Sequence, residues 1–287
     1  MTLSSKILVF GSGRLSIGIS AFFPGAVVIP KESCDITDRD QVIKAIRSVQ
    51  PDIVLNAAAI TKPALCEEQH GLAWRVNVYG ARNIAYAARE MNTRSIHISS
   101  NWAADPTNEY GRTKFVSEQV GFDLVVRVCF YDESYWVLSR LSQGDSVALA
   151  DTDQFNPISV AGMLKVLERM IEQRVEGIVN IGVVDRLTHY EFGVMLGRIL
   201  DLPIDLIKPI TLVNTTYAYP YNTYIEPHRL SRLTAQEDIH DFRNTLTWRY
   251  SATDSSLEVD EPVSDMRSSN NRGSELRDAS TSGRVRE

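Results

Sequence analysis

The sequence is poor in the groups that staple or metallate a protein. Its 287 residues include 3 cysteines, Cys34, Cys66 and Cys129, and 5 histidines. No two cysteines stand in a C-x-x-C arrangement and the histidines are scattered without ligand spacing. Neither a disulfide framework nor a structural metal site is expected, and the cysteines read as reduced thiols in or near a core. No apolar run is long enough to cross a bilayer, and an apolar strand begins within a few residues of Met1, leaving no room for a secretory leader. A formal net charge of −6 with no basic cluster argues against nucleic acid or an anionic membrane as a partner. A cytoplasmic protein, monomeric or homodimeric, acting on a small molecule is the expectation.

What the chain does have is alternation. Short β-branched runs at Lys6–Phe10, Ala26–Ile29, Ile53–Asn56, Ser95–Ser99 and Leu124–Val128 are separated by helical patterns at Leu15–Phe22, Arg39–Val49, Leu72–Asn92 and Tyr110–Gln119. Strands separated by helices mean an α/β fold with a doubly wound parallel sheet of the Rossmann type. Past Cys129 the pattern loosens, with a helix at Val160–Gln173, a strand at Ile178–Ile181 and a helix at Tyr190–Leu200. We expect a dinucleotide-binding domain over 1–130 with contributions from later elements, and a smaller substrate lobe over 131–250. The stretch 251–287 has almost no large apolar residue, so it reads as a disordered tail.

Two motifs carry chemistry. The first strand runs into Gly11-Ser12-Gly13-Arg14-Leu15-Ser16, close to G-x-G-x-x-G with Ser16 in the third glycine's place. Such glycines let the chain turn tightly against a pyrophosphate, and the helix that follows directs its first N–H groups at the phosphates. The second motif is Tyr110 four residues before Lys114, with Ser99-Ser100 ten residues upstream at a strand end. Positions i and i+4 share a helix face, so the Lys114 ammonium is expected beside the Tyr110 phenol, lowering its pKa and suiting it to proton exchange with a substrate oxygen. Ser100 is placed to hydrogen-bond the same oxygen. Lys31 and Glu32 lie about 20 residues past the glycines, where an acid favours NAD and a cation NADP, so they leave the choice open; Arg14 tips it towards NADP(H).

These residues resemble the extended short-chain dehydrogenase/reductase superfamily and, within it, the dTDP-4-dehydrorhamnose reductase group. Pro51 to Thr61 looks like that group's P-D-x-V-I-N-A-A-A-Y-T segment. Arg75-Val76-Asn77 with Gly80 and Asn83 looks like its R-V-N-x-x-G-x-x-N helix, and His97 to Trp102 stands where it has H-I-S-T-D-Y. Tyr110 to Lys114 matches Y-G-x-x-K, and Asp153-Gln154 with Asn156-Pro157 is similar to a later signature. The resemblance implies Ser100, Tyr110 and Lys114 as the catalytic set. It implies Gly11, Gly13, Arg14 and Leu15 on the phosphate loop, Asp35 and Ile36 beside the adenine, and Ala57, Ala58 and Ala59 along the cofactor. Asn77 is implied to be structural or cofactor-proximal, and Lys114 also to hold the nicotinamide ribose.

Two departures stand out. Ser100 and Tyr110 are joined by only Asn101 to Glu109, shorter than in the group, and Asn101-Trp102 replaces its aspartate and tyrosine. The expected activity is reduction of a keto group on a nucleotide-linked 4-keto-6-deoxy sugar. The rivals are an epimerase or dehydratase with tightly held NAD, and a cofactor-binding regulatory subunit like the β partner of methionine adenosyltransferase.

Overall fold

A computed structural model of the chain describes residues 5–211, 220 and 222–249. The expected tail at 251–287 lies outside the described residues. In chain order the first half gives β1 (Ile7–Phe10), α1 (Arg14–Phe22), β2 (Ala26–Ile29), α2 (Arg39–Val49), β3 (Ile53–Asn56), α3 (Pro63–Glu68), α4 (His70–Trp74), α5 (Ala81–Glu90), β4 (Arg94–Ile98) and α6 (Glu109–Ser117). The second gives β5 (Leu124–Val128), β6 (Phe130–Tyr131), α7 (Trp136–Ser142), β7 (Val147–Ala150), β8 (Ile158–Ser159), α8 (Val160–Glu172), β9 (Gly177–Val183), α9 (His189–Ile199), β10 (Ile207–Ile210), β11 (Arg232–Leu233) and α10 (Ala235–Arg249).

Seven strands form one parallel sheet in the order β11-β9-β5-β4-β3-β1-β2. Alternating side chains feed two cores. Ile7 and Val9 of β1 pack on the α1 and α8 side, while Leu8 and Phe10 pack on the α2 and α5 side, as a strand buried on both faces requires. Helix α2 starts where the sequence indicates, with Asp38 accepting from the N–H groups of Asp40 and Gln41, and it ends on left-handed Gln50 ahead of Pro51.

The helix expected over Leu72–Asn92 is interrupted. Arg75–Gly80 forms a wider π-helical turn between α4 and α5, a one-residue widening that periodicity does not reveal. Gly80 is needed there, because a Cβ on it would lie 2.6 Å from Ile36 Cδ1. Beyond residue 130 the chain does not stand apart from the sheet: β9 and β11 complete it, and α8 packs on α1 so closely that a Cβ on Gly18 would meet Val160 Cγ1 at 2.6 Å. Two short sheets, β6–β8 and β7–β10, lie outside it. Helix α10 is docked by a buried carboxylate. Asp238 accepts from the Tyr131 hydroxyl at 2.6 Å, the Ser159 N–H at 2.8 Å and the Ser159 hydroxyl at 2.8 Å. Among the described residues no helix is long and apolar enough to cross a membrane, and no cluster of three or more His, Cys, Asp or Glu is set to hold a metal.

Candidate active site

The strand order reverses between β1 and β3, because β2 lies on one side of β1 and every later strand on the other. Ligands of open α/β sheets bind outside the carboxyl ends of the strands at such a point. The register sets Phe10 beside Asn56 and Asn56 beside His97, so the turns after β1, β3 and β4 emerge level with one another. Gly11 has φ +107°, and a Cβ on it would lie 2.9 Å from Ala58 N and 3.1 Å from Ala57 C. Only glycine lets these two turns close together. Gly13 differs: its backbone is extended and a Cβ there would meet nothing within 4 Å. Beside it opens a cavity of about 460 Å³ lined by Ser12, Ser16, Ile17, Ser20, Ala21 and Val28, and the buried Ser16 hydroxyl has no partner. Open backbone, a helix N-terminus at Arg14 and Leu15 and an unsatisfied hydroxyl fit the phosphate cradle of a dinucleotide.

The remaining residues expected at the cofactor divide. Asp35 closes the turn after β2 by accepting from the Thr37 N–H at 2.9 Å. That hydrogen bond, with the Lys31 ammonium nearby, holds its carboxyl below the usual range. Ile36 is buried under Gly80 rather than exposed beside an adenine site. Arg14 does not point towards the end of β2. It reaches to Asp132 Oδ1 at 3.3 Å and the Ser134 hydroxyl at 2.8 Å. Asn77 is spent inside the protein: its Oδ1 accepts from the Ile60 N–H at 2.7 Å, and its Nδ2 donates to Ile60 O at 3.1 Å and Thr113 Oγ1 at 3.0 Å. The Asn77 amide therefore ties the segment after Ala59 to α6 and has no donor left for a ligand.

Ser100 and Tyr110 come together: the Ser100 hydroxyl acts on the buried Tyr110 phenol and favours its ionised form. Lys114 does not join them. Its Nζ donates to Ile98 O at 2.8 Å and lies 3.4 Å from His97 Nε2. This corrects the expectation from i, i+4 spacing, since a shared helix face does not fix where a long, buried side chain ends. Burial pushes the Tyr110 phenol up to about 12, opposed by the Ser100 hydrogen bond and reinforced by Cys129 and Cys66. Burial likewise pushes the Lys114 ammonium down to about 8, opposed by Glu118.

The short connection from Ser100 to Tyr110 closes as a 3-10 turn over Asn101–Ala103, followed by Asn108, which caps α6 by accepting from the Gly111 N–H at 2.9 Å. A Cβ on Gly111 would lie 2.8 Å from Trp102 O, so the glycine of the Y-G-x-x-K motif admits the shortened loop. Trp102 packs edge-on against Tyr110, ring centroids 5.7 Å apart. Asn101 Nδ2 donates to Thr223 O at 2.9 Å, bringing a distant segment to the Ser100–Tyr110 pair. Sequence reasoning missed Thr223, Asn56 and His97. The signal for the last two was present: each is a polar residue within an apolar, buried strand.

The sheet order and its crossover define an α/β protein of the Rossmann type. The profile of the RmlD substrate binding domain family matches residues 5–255, and the chain belongs to that family. It is 23% identical over 239 residues to a dTDP-4-keto-6-deoxy-D-glucose reductase of Streptomyces niveus, covering 72% of this chain and 83% of that protein. It is 27% identical over 220 residues to a dTDP-4-dehydrorhamnose reductase of Mycolicibacterium smegmatis, covering 64% and 67%. It is 24% identical over 213 residues to the β subunit of methionine adenosyltransferase 2 of Rattus norvegicus, covering 63% and 64%. Among solved structures, the dTDP-4-dehydrorhamnose reductase of Bacillus anthracis in complex with NADP superposes with a TM-score of 0.77 at 18% identity, covering 85% of this chain and 100% of that one. The Bordetella bronchiseptica enzyme WbmG, in complex with NAD and UDP, gives 0.69 at 15% identity, covering 90% and 99%.

Proposed function

We propose that this protein reduces the keto group of a nucleotide-linked 4-keto-6-deoxy sugar, with a nicotinamide cofactor in the cleft between the turns after β1 and β3. The observation that carries the reading is the placement of Ser100 and Tyr110 at the carboxyl end of the sheet, one strand from the Gly11–Ala58 closure. The relatives named as dTDP-sugar reductases support it.

The cofactor, when bound, supplies a hydride to the carbonyl carbon. Tyr110 gives its proton to the carbonyl oxygen as charge develops there, and Ser100 donates its own hydroxyl proton to the same oxygen. A phenol near 12 is fully protonated at neutral pH, which is the state a reductase needs in its proton donor. Lys114, which here donates to Ile98 O, would turn from that carbonyl to hold the nicotinamide ribose and lower the phenol's pKa. Gly11, Gly13, Arg14 and Leu15 cradle the phosphates, Ala57, Ala58 and Ala59 line the cofactor's length, and Asp35 borders the adenine end. Preference for NADP(H) is supported by the NADP held in the Bacillus anthracis relative, while Lys31, whose charge acts on Asp35, and Glu32 beside it leave the choice open. Residues 131–250, outside β9 and β11, form the substrate lobe in this reading.

A second reading, a cofactor-binding regulatory subunit, draws on the β-subunit relative and on the separation of Lys114 from Tyr110. Incubation with NADPH and dTDP-4-keto-6-deoxy-D-glucose decides between them. Stoichiometric loss of absorbance at 340 nm, roughly one cofactor per sugar, is expected; tight NADPH binding without turnover would replace the reductase with the regulatory subunit.

A further inference from the structure

A continuous chain of buried hydrogen bonds runs beneath the site and serves no partner outside it. The Ala58 N–H donates to Asn56 Oδ1 at 3.1 Å, which fixes the amide so that Nδ2 faces His97 Nδ1 at 3.1 Å. Because Nδ2 can only donate, Nδ1 must accept, and the single proton of the neutral imidazole is on Nε2. That N–H meets the Ser117 hydroxyl at 2.9 Å, and Ser117 in turn donates to the Lys114 carbonyl at 2.7 Å. Asn56, His97 and Ser117 are all fully buried, and the imidazole stacks on Phe122 at 4.8 Å. Burial first, and then the Lys114 charge, hold His97 well below its ordinary pKa, so it stays neutral.

We propose that His97, locked in its Nε2–H tautomer, is a positioning residue that couples the cofactor-facing turn after β3 to the lysine-bearing helix α6. One end of the imidazole orders the amide that holds Ala58. The other presents an N–H, not a lone pair, towards the Lys114 ammonium 3.4 Å away, so the lysine gains no second acceptor in the interior and remains free to turn towards the cleft. Among the described residues, the charge that acts on Lys114 is Glu118 at the end of its own helix, itself paired with Arg127 of β5. The kinetic consequence of this coupling rests on the reductase reading; the coupling itself does not.

Two isosteres cut the imidazole at opposite ends in the full-length protein. His97→Gln keeps a donor where Nε2 stood and loses the acceptor for Asn56, whereas His97→Asn keeps that acceptor and loses the reach to Ser117. The readouts are NADPH affinity by calorimetry and the titration of the Lys114 side chain by NMR on lysine-labelled protein, assigned with Lys114→Met. His97→Gln is expected to weaken NADPH about fivefold, the size of one neutral hydrogen bond, with the lysine midpoint unmoved. His97→Asn is expected to admit water beside the ammonium and raise the Lys114 midpoint by at least about half a pH unit, with NADPH affinity held. Ser117→Ala, a smaller lesion, should reproduce the second result if His97→Asn does not fold. If the variants lose only melting temperature, with both readouts at wild-type values, His97 is a core filler and the proposal is overturned. A wild type that binds NADPH but reduces no sugar nucleotide would remove the reductase reading and leave these two readouts to judge the coupling.

Discussion

On the cofactor side of the cleft, each turn carries its own shaping residue: Gly11 takes φ +107° within the turn after β1, which lets Ala58 approach, and Asp35 closes its turn on Thr37 two residues away. On the substrate side the partners are remote. Asn101 is held by Thr223, and Tyr131 and Ser159 by Asp238. The difference teaches which half tolerates change. A side built from local turn chemistry is rebuilt by any chain with the same glycines, whereas a side assembled from contacts across 80 to 120 positions varies with each insertion, as the short Ser100–Tyr110 connection does.

The largest expected effect falls where the two sides meet. Tyr110→Phe keeps the ring against Trp102 and removes the proton donor, so kcat should fall by about 10²–10⁴-fold with NADPH affinity unchanged. Retained turnover would sink the catalytic assignment. Next is the remote docking of α10. Asp238→Ala strands the Tyr131 hydroxyl and the Ser159 N–H in the interior and should cost about 3–5 kcal/mol in urea unfolding. A loss below about 1 kcal/mol would show that the substrate side does not depend on this long-range contact.

Lys114 gives the comparison a pH axis. Its pKa is depressed in the folded chain, from 10.5 to about 8, so between those values the unfolded chain binds more protons and stability rises with pH. Below about pH 8 both states carry the charge and the burial cost is fully felt. Relative to Lys114→Met, the cofactor-free wild type should therefore gain on the order of 2–3 kcal/mol between pH 8 and 10.5. Tyr110, raised to about 12, acts in the opposite sense above its ordinary 10.0 and sets the upper limit of the window. A flat difference curve would mean the ammonium is solvated.

Legibility in the sequence followed the same division. β2, α2, β3 and β5 fall on the expected residues, because strand runs bounded by caps and glycines are local signals. The glycine turn and the Ser100–Tyr110 pair were equally readable. The π turn at Arg75–Gly80, the particular partners of the Asn77 amide and the orientation of Lys114 were not, since each is decided by which distant group fills the neighbouring space. Elements α3, α7, β7, β10, β11 and α10 went unread for a related reason: they are short or weakly patterned and owe their form to tertiary packing.

The two glycines of the turn separate fold from ligand. Gly11→Ala meets the Ala58 backbone and needs a positive φ, so it should cost stability of about 1–3 kcal/mol. Gly13→Val meets nothing in the protein, so it should melt near the wild-type temperature while losing NADPH affinity steeply. Equal stability losses in both would mean that Gly13 serves the fold and not the phosphates.

The smallest effect is expected at Arg14, and it tests whether the remote pattern reaches into the local half. The side chain is more than half exposed and its ion pair with Asp132 is long, so Arg14→Ala should change stability by no more than about 0.5 kcal/mol. Because the guanidinium is bound to Asp132 and Ser134, the expectation is that it meets the pyrophosphate, which both cofactors share, and not the 2′-phosphate, which only NADP carries. NADPH and NADH should therefore weaken equally, each by less than about tenfold, in paired calorimetric titrations. Lys31→Ala should instead weaken NADPH alone. A selective loss of NADPH in Arg14→Ala would return the 2′-phosphate to Arg14 and place that residue, despite its contacts 118 positions away, with the locally encoded half of the cleft.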